Sequence, residues 1–161
     1  VAGDSEKVVA LRAAKTVHAA DLARDEAIAQ ADHANRSADL KLELADAPLA
    51  MAEDYFRRIV GELVQNAFKF SKPGKRVHVT LKPDGKLIEL SVRDEGCGFT
   101  PDQIQRIGAY LQFDRKMEDR QGLGLGLAIA RKLAELHNGS FAVTSTPGTG
   151  SVVTVRLPLA A

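Results

Sequence analysis

The segment from Glu53 to Phe70, EDYFRRIVGELVQNAFKF, carries the strongest helical pattern in the chain. At about 100° per residue measured from Glu62, Phe56, Ile59, Val60, Leu63, Ala67 and Phe70 fall between about 60° and 160°. An apolar arc that wide is a core face and has to be covered by a second layer. Beside it, within about 40° of the reference direction, lie Tyr55, Arg58, Glu62, Asn66 and Lys69. One helix therefore presents a buried stripe and a polar stripe side by side. Ser71 and Pro73-Gly74 end it.

The covering layer is legible as strands. Asp39 to Leu44 alternates, with Leu40, Leu42 and Leu44 on one face. Val77–Leu81 and Leu87–Val92 flank the turn signal Pro83-Asp84-Gly85 and read as a hairpin. Phe141–Ser145 and Val152–Leu157 form another across Pro147-Gly148-Thr149-Gly150. Ala47 to Ala52 is a crossing segment. Thr100-Pro101-Asp102-Gln103 is a capping box with proline at the first helical position, and opens a short helix to about Ile107. Tyr110 to Gln121 is charged and irregular. After the glycines at 122–126 comes a helix with Leu125, Ile129, Leu133 and Leu136 on one face, closed by the left-handed cap Asn138-Gly139. At the other end, Glu6 to about His33 has neither proline nor glycine and is rich in alanine, so propensity favours helix. Its stripe of Val8, Leu11, Leu22 and Ile28 is thin, so its beginning is expected to belong to a neighbouring element of a longer protein.

Length and composition narrow the function classes. With 161 residues, the chain holds one domain and an appended helix. A formal net charge of +1 offers no nucleic-acid surface. The lone Cys97 excludes an intrachain disulfide framework and a cysteine-rich zinc site. Apolar runs stop far short of the ~18 residues needed to span a bilayer. Without a signal peptide or an initiator methionine, the chain reads as a soluble fragment of something larger.

Three features carry chemistry. Gly122, Gly124 and Gly126 alternate ahead of a helix whose first N–H groups are free, an arrangement suited to phosphate, although a flexible loop would read the same way. No Gly-Lys-Ser/Thr follows, so this is not a Walker A loop, and DRKMEDRQ before it is not the buried strand of a dinucleotide fold. Asp94, followed by Gly96 and Gly98, is either a plain tight turn or a carboxylate that accepts from an exocyclic amino group while the glycines admit a flat ligand. Adenine carries such a donor; guanine presents a carbonyl there. The polar stripe is either a solvated helix face or a site in which Asn66 gives its amide oxygen to magnesium, Lys69 neutralises phosphate and Glu62 orients or deprotonates an attacking group. Cys97, at the variable position of the glycine turn, is either a redox-active thiol or a small tolerated side chain, and the sequence favours the second.

Together these residues carry a resemblance. GELVQNAFKFS resembles the N box of the GHKL ATP-binding superfamily, DEGCGF its G1 box, and GLGLGLAIARKLAELHNG its G2 box. The last, with a final hairpin ending in Leu157-Pro158, is most similar to bacterial sensor histidine kinases. Phe113 in YLQFDR resembles the second aromatic of their F box. The match covers roughly Leu40 to Leu159. It implies a two-layer α/β sandwich of the Bergerat type, with a mixed, mostly antiparallel sheet and helices on one face. A helix over 1–35 would precede an ATP-binding domain over 36–161. ATP and Mg²⁺ would sit between the N-box helix and a lid at about 99–123. By position, Asn66 matches the magnesium-binding Asn, Lys69 a phosphate contact and Asp94 the adenine-reading Asp. Gly96, Gly98 and Phe99 match the G1 turn, and Gly122, Leu123, Gly124, Leu125 and Gly126 the G2 loop. Arg115 and Lys116 are lid cations, within reach of phosphates or solvated.

Two departures from the family pattern matter. Glu62 stands where many histidine kinases have Asn. Hydrolytic relatives such as DNA gyrase and MutL have Glu there, so hydrolysis stays open beside transfer. The phosphoacceptor His, typically followed by an acidic residue, is not found: His18 and His33 precede alanines, His78 lies in a strand and His137 at a helix end. The resemblance thus implies the catalytic half of a protein-histidine kinase. It would be monomeric as a fragment and cytoplasmic, with no membrane contact of its own. It would act on a His in a separate dimerisation domain and, through it, on a response regulator. A GHKL ATPase, or a binding module without phosphotransfer, is the alternative.

Overall fold

The computed structural model describes residues 15–96, 98, 102, 105, 125–146 and 148–160. Expectations for the helix start around Val8 and Leu11 lie outside these residues. So do those for Cys97, Phe99, Phe113, Arg115, Lys116, Gly122, Leu123 and Gly124, and most of the capping-box segment, of which Asp102 and Gln105 are helical.

The alternating segments assemble into one five-stranded sheet. Its strands are β1 (Leu40–Leu44), β2 (Val77–Asp84), β3 (Leu87–Asp94), β4 (Ser140–Thr146) and β5 (Gly150–Pro158), ordered β1-β2-β3-β5-β4. Only β1–β2 is parallel; β2–β3, β3–β5 and β4–β5 are antiparallel. A parallel neighbour requires a crossover, and α2 (Glu53–Lys69) supplies it. With α1 (Ala19–His33) and α3 (Leu125–Leu136), it packs against one face. Val77, Val79 and Leu81 of β2, Ile88, Leu90 and Val92 of β3, and Val153, Val155 and Leu157 of β5 join the helices in one core. The residues between them, such as Thr80, Ser91 and Thr154, stay partly exposed on the far face. The expected mixed α/β sandwich with helices on one side is the observed one.

The strands run further than their patterns indicate. Pro83 and Asp84 are not turn residues but pair with Ile88 and Leu87, leaving a two-residue turn at Gly85-Lys86. Pro83 is tolerated because β1 stops pairing at Leu81, so no neighbour asks for the missing N–H. At the other end, Asp94 is the last residue of β3, paired with Val77 and Ser151, rather than the first residue past the strand.

The expected helix does not run unbroken to His33: residues 15–18 interrupt it. Thr16 is extended, in an antiparallel bridge with Leu49: each amide donates to the other's carbonyl at 2.8 Å, and Thr16 Oγ1 donates to Met51 O at 2.7 Å. Helix α1 starts at Ala19, where Asp46 Oδ1, 26 residues away, accepts from Ala20 N at 3.0 Å and caps it. That bond holds the Asp46 carboxyl below its ordinary range. The buried face of α1 is Ala19, Ala20, Leu22, Ala23, Ala27 and Ala31, while Ile28 is exposed. Small side chains let α1 come close to α2: a Cβ on Gly61 would lie 2.7 Å from Glu26 Oε1.

Helix α2 buries Phe56, Ile59, Val60, Leu63 and Ala67 as expected, and also Val64 and Phe68; Phe70 falls just past its end and is half-buried. Full burial of Phe56 alone stabilises the fold by roughly 1.5–3 kcal/mol. The core face of α3 is corrected. Leu127, Ala128, Ala130 and Ala134 are buried, whereas Ile129, Leu133 and Leu136 are only partly so. The cap is as expected: Asn138 has φ +62° and Gly139 N donates to Ala134 O at 2.8 Å.

Candidate functional site

Helix α2 lies between the other two helices, and its polar stripe is the seam on which the site is built. Glu62 is held through Oε1 by Arg58 Nε at 2.7 Å, one turn back, with a side-chain exposure of 17%. Its second oxygen abuts Gly126, where any Cβ would collide with it. Gly126 lies in the first turn of α3, so the start of that helix sits directly beside Glu62. On the other side, Glu62 lines an open groove between α1 and α2 with Glu26, Gln30, Arg57 and Gln65.

One turn further, Asn66 is half-buried, and its carbonyl takes the Phe70 amide at 3.1 Å. Lys69 is exposed, its Nζ 5.8 Å from the centre of the Phe70 ring. The end of the helix presses on the turn after β3: a Cβ on Gly96 would collide with the Phe70 carbonyl oxygen. Only glycine admits that approach. Gly98, with φ +72°, backs onto Thr146 O in the same way.

Asp94 is 5% exposed. Its Oδ1 accepts from Gly96 N at 2.9 Å and its Oδ2 from Ser151 Oγ at 2.6 Å. Each carboxylate oxygen retains a lone pair, so the group is oriented by two donors and still able to accept from a third. Ser151 was not singled out from the sequence. The signal was there: β5 turns residues 151, 153, 155 and 157 inward, and Ser151 is the polar member of that otherwise apolar set.

The structure thus brings Glu62 to Gly126, and the end of the Asn66–Lys69 turn to Gly96 and Asp94. The backbone of Leu125 opens α3 at the same seam. Among the described residues, no cluster of three His, Cys, Asp or Glu side chains could hold a metal ion. The four histidines lie apart. His18 is exposed with Nδ1 3.5 Å from Asp46, His33 ends α1, His78 is on β2, and His137 is buried against Tyr55 with Nδ1 2.7 Å from Leu133 O. No helix of the described residues is long and apolar enough to cross a membrane.

Comparison with known proteins agrees with this fold. The family model for histidine kinase-, DNA gyrase B- and HSP90-like ATPases matches residues 51–161. Histidine protein kinase DivJ of Caulobacter vibrioides is 38% identical over 104 residues, covering 64% of this chain and 17% of that protein. Sensor histidine kinase RppB of Synechocystis is 38% identical over 111 residues, covering 66% of this chain and 24% of that one. The chain therefore spans less than a quarter of either relative. Among solved structures, the mycobacterial sensor histidine kinase MprB superposes with a TM-score of 0.72 at 22% identity, over 90% of this chain and 97% of that one. Full-length ShkA in complex with AMPPNP superposes with a TM-score of 0.69 at 26% identity, over 88% and 30%. With the family model covering more than half of its length, the chain belongs to the histidine kinase-, DNA gyrase B- and HSP90-like ATPase family.

Proposed function

We propose that this chain is the ATP-binding catalytic domain of a two-component sensor histidine kinase. It binds Mg-ATP and donates the γ-phosphoryl group to a His on a separate dimerisation domain. The observation that carries this reading is the convergence on α2: one helix touches the Asp94 turn through Phe70 and Gly96, and the first turn of α3 through Glu62 and Gly126. A ligand with a flat base at one end and phosphates at the other spans that pair of contacts.

Each residue then has a role. Asp94, oriented by Gly96 N and Ser151 Oγ, accepts from the adenine amino group. Gly96 and Gly98 keep the floor of the base site free of side chains, and Phe99, next in sequence, contributes to the same site in this reading. Gly122, Leu123, Gly124, Leu125 and Gly126 present backbone N–H groups to the phosphates. Lys69 adds a mobile positive charge. The residues present fit magnesium as a nucleotide-borne ion: Asn66 offers one amide oxygen on the phosphate side of α2, and Mg²⁺ normally takes its remaining ligands from phosphates and water. When bound, Mg²⁺ would supply charge neutralisation at the phosphates.

An imidazole nitrogen of the acceptor attacks the γ-phosphorus, the bond to the β–γ bridging oxygen breaks, and ADP leaves. In this reading Glu62, which lines the open α1–α2 groove, takes the imidazole proton. The acceptor domain belongs to the parent protein and a response regulator follows it, in the cytoplasm. The fragment is monomeric.

The test is to mix the chain with a helical domain bearing an acceptor His, and with labelled ATP. Acid-labile, base-stable label on the added domain is the expected result. A folded, nucleotide-bound chain that transfers nothing to any acceptor domain would count against it. The same openness of Glu62 to the groove favours a second reading, ATP hydrolysis, because water reaches that carboxylate. Magnesium-dependent ADP release by the chain alone, lost in Glu62→Ala, would establish it.

A further inference from the structure

Arg36 lies in the short link between α1 and β1, outside every motif named above, yet it is 7% exposed. Its guanidinium collects the backbone at the end of α2. Nη1 donates to Phe68 O at 3.0 Å, Ser71 O at 2.7 Å and Ser71 Oγ at 3.1 Å. Nη2 donates to Lys72 O at 2.7 Å and Lys75 O at 2.9 Å. Nε pairs with Asp39 Oδ2 at 2.9 Å, and Cζ sits 5.0 Å over the Phe68 ring. Asp39 also accepts from Gly74 N at 3.0 Å. The Arg36 hydrogen bond first, then that of Gly74, holds the Asp39 carboxyl below its ordinary range. Ser71 Oγ passes the tie back to Ala67 O at 2.7 Å, inside the helix.

Two facts make this more than a helix cap. The residues gathered, 68–75, begin within one turn of Asn66 and Lys69. The carbonyl between them, that of Phe70, is the one on which Gly96 rests, and Gly96 N in turn orients Asp94. The mechanical link from Asn66 and Lys69 to Asp94 therefore runs through the backbone that Arg36 fastens. An exposed loop needs no such fastening, and a lysine could not supply it, since it lacks the planar fork of donors.

We infer that Arg36 is a positioning residue for nucleotide: by fixing residues 68–75 it sets the separation between the phosphate-side groups Asn66 and Lys69 and the base-side group Asp94. The inference rests on the nucleotide-binding reading above. It concerns the joining of two subsites, so it has a signature distinct from loss of fold. A ligand that spans both subsites gains from their correct spacing, whereas its separate halves do not.

The experiment measures ADP, adenosine and magnesium pyrophosphate binding by NMR titration to the wild type, Arg36→Met and Arg36→Lys, with a thermal melt of each. In folded Arg36→Met, ADP affinity is expected to fall about 10-fold or more, while each half binds within about 3-fold of wild type. Arg36→Lys is expected to recover only part of the ADP affinity. Should Arg36→Met fail to fold, Asp39→Asn, which keeps the guanidinium but loosens Nε and Gly74, is expected to show a smaller loss of the same kind. A lowered melting temperature with an unchanged ratio of ADP to fragment affinity would overturn the inference. Equal loss for ADP and adenosine would overturn it too. Absence of ADP binding by the wild type would sink the nucleotide reading itself, and this inference with it.

Discussion

Replacing Asp94 by Asn tests the base site at small cost to the fold. The carboxylate accepts from Gly96 N at 2.9 Å and Ser151 Oγ at 2.6 Å. An asparagine can keep both bonds. Its oxygen faces Gly96, and its amide nitrogen donates to the Ser151 hydroxyl, which reverses its own role. Folding stability should then change by about 1 kcal/mol or less. The ligand has no such freedom. On the proposed role of Asp94, an adenine amino group donates to its carboxylate, a bond contributing roughly 1.5–3 kcal/mol. With Asn, the charge is gone and a donor points into the site. A loss of about 2–3 kcal/mol corresponds to roughly 30- to 140-fold weaker ADP binding at ~1.4 kcal/mol per decade. GTP should gain relative to ATP, because the guanine carbonyl meets a donor instead of a carboxylate. Calorimetric titration of ADP, GDP and non-hydrolysable ATP and GTP analogues, with and without Mg²⁺, reads both effects. A folded Asp94→Asn chain that binds ADP within about 3-fold of wild type would refute the assignment of Asp94 to the base.

Other outcomes follow from the same geometry. Gly96→Ala drives a methyl group into the Phe70 carbonyl, a backbone atom that cannot step aside; a loss of roughly 2–3 kcal/mol or more is expected by chemical denaturation. Gly126→Ala meets only the tip of Glu62, which can swing away, and it gains helix propensity of up to about 1 kcal/mol, so stability should barely change while transfer or hydrolysis falls as Glu62 leaves its place. Asp46 has a folded-state pKa below its ordinary 3.8, chiefly through the Ala20 N–H. Its contribution to stability is therefore complete above that value and lost as pH falls through the lower folded one. Melts of wild type and Asp46→Asn should accordingly differ at neutral pH and converge under acid conditions.

How much of this was readable beforehand depended on how local the cause was. The α2 stripe, both hairpins and the Asn138-Gly139 cap follow from periodicity and from glycine chemistry, which act within a few residues, although Pro83 proved to be a strand residue and not part of the turn. The interruption of the N-terminal helical pattern at Thr16 did not, because Thr16 is drawn into an extended bridge by Leu49, 33 positions along the chain. The face of α3 was misjudged because it buries Leu127 with Ala128, Ala130 and Ala134, a face of one leucine and three alanines that a stripe of larger side chains outweighs on paper. At the site, Glu62, Asn66, Asp94, Gly96, Gly98 and Gly126 were picked out by resemblance, and the structure brings Glu62 to Gly126 and Asp94 to Gly96. Ser151 and Arg36 escaped because their partners, Asp94 at 57 positions and Ser71 at 35, are set by the fold alone.

The bridge at Leu49 has a consequence for how the domain is wired to whatever surrounds it. Leu49 pairs with Thr16 on one side and Leu159 on the other, so the incoming and outgoing chain lie about 10 Å apart, two strand spacings. Leu159 N also donates to Lys86 O at 2.9 Å, which puts both at the hairpin end of β3, whereas Asp94 closes the other end. At roughly 3.3 Å per residue, β3 holds the two ends about 23 Å apart. Force applied at Thr16 or Leu159 thus pulls on the end of the sheet furthest from Asp94. A circularly permuted chain, joined by a few residues from 160 to 15 and opened at Gly85-Lys86, should keep its nucleotide affinity.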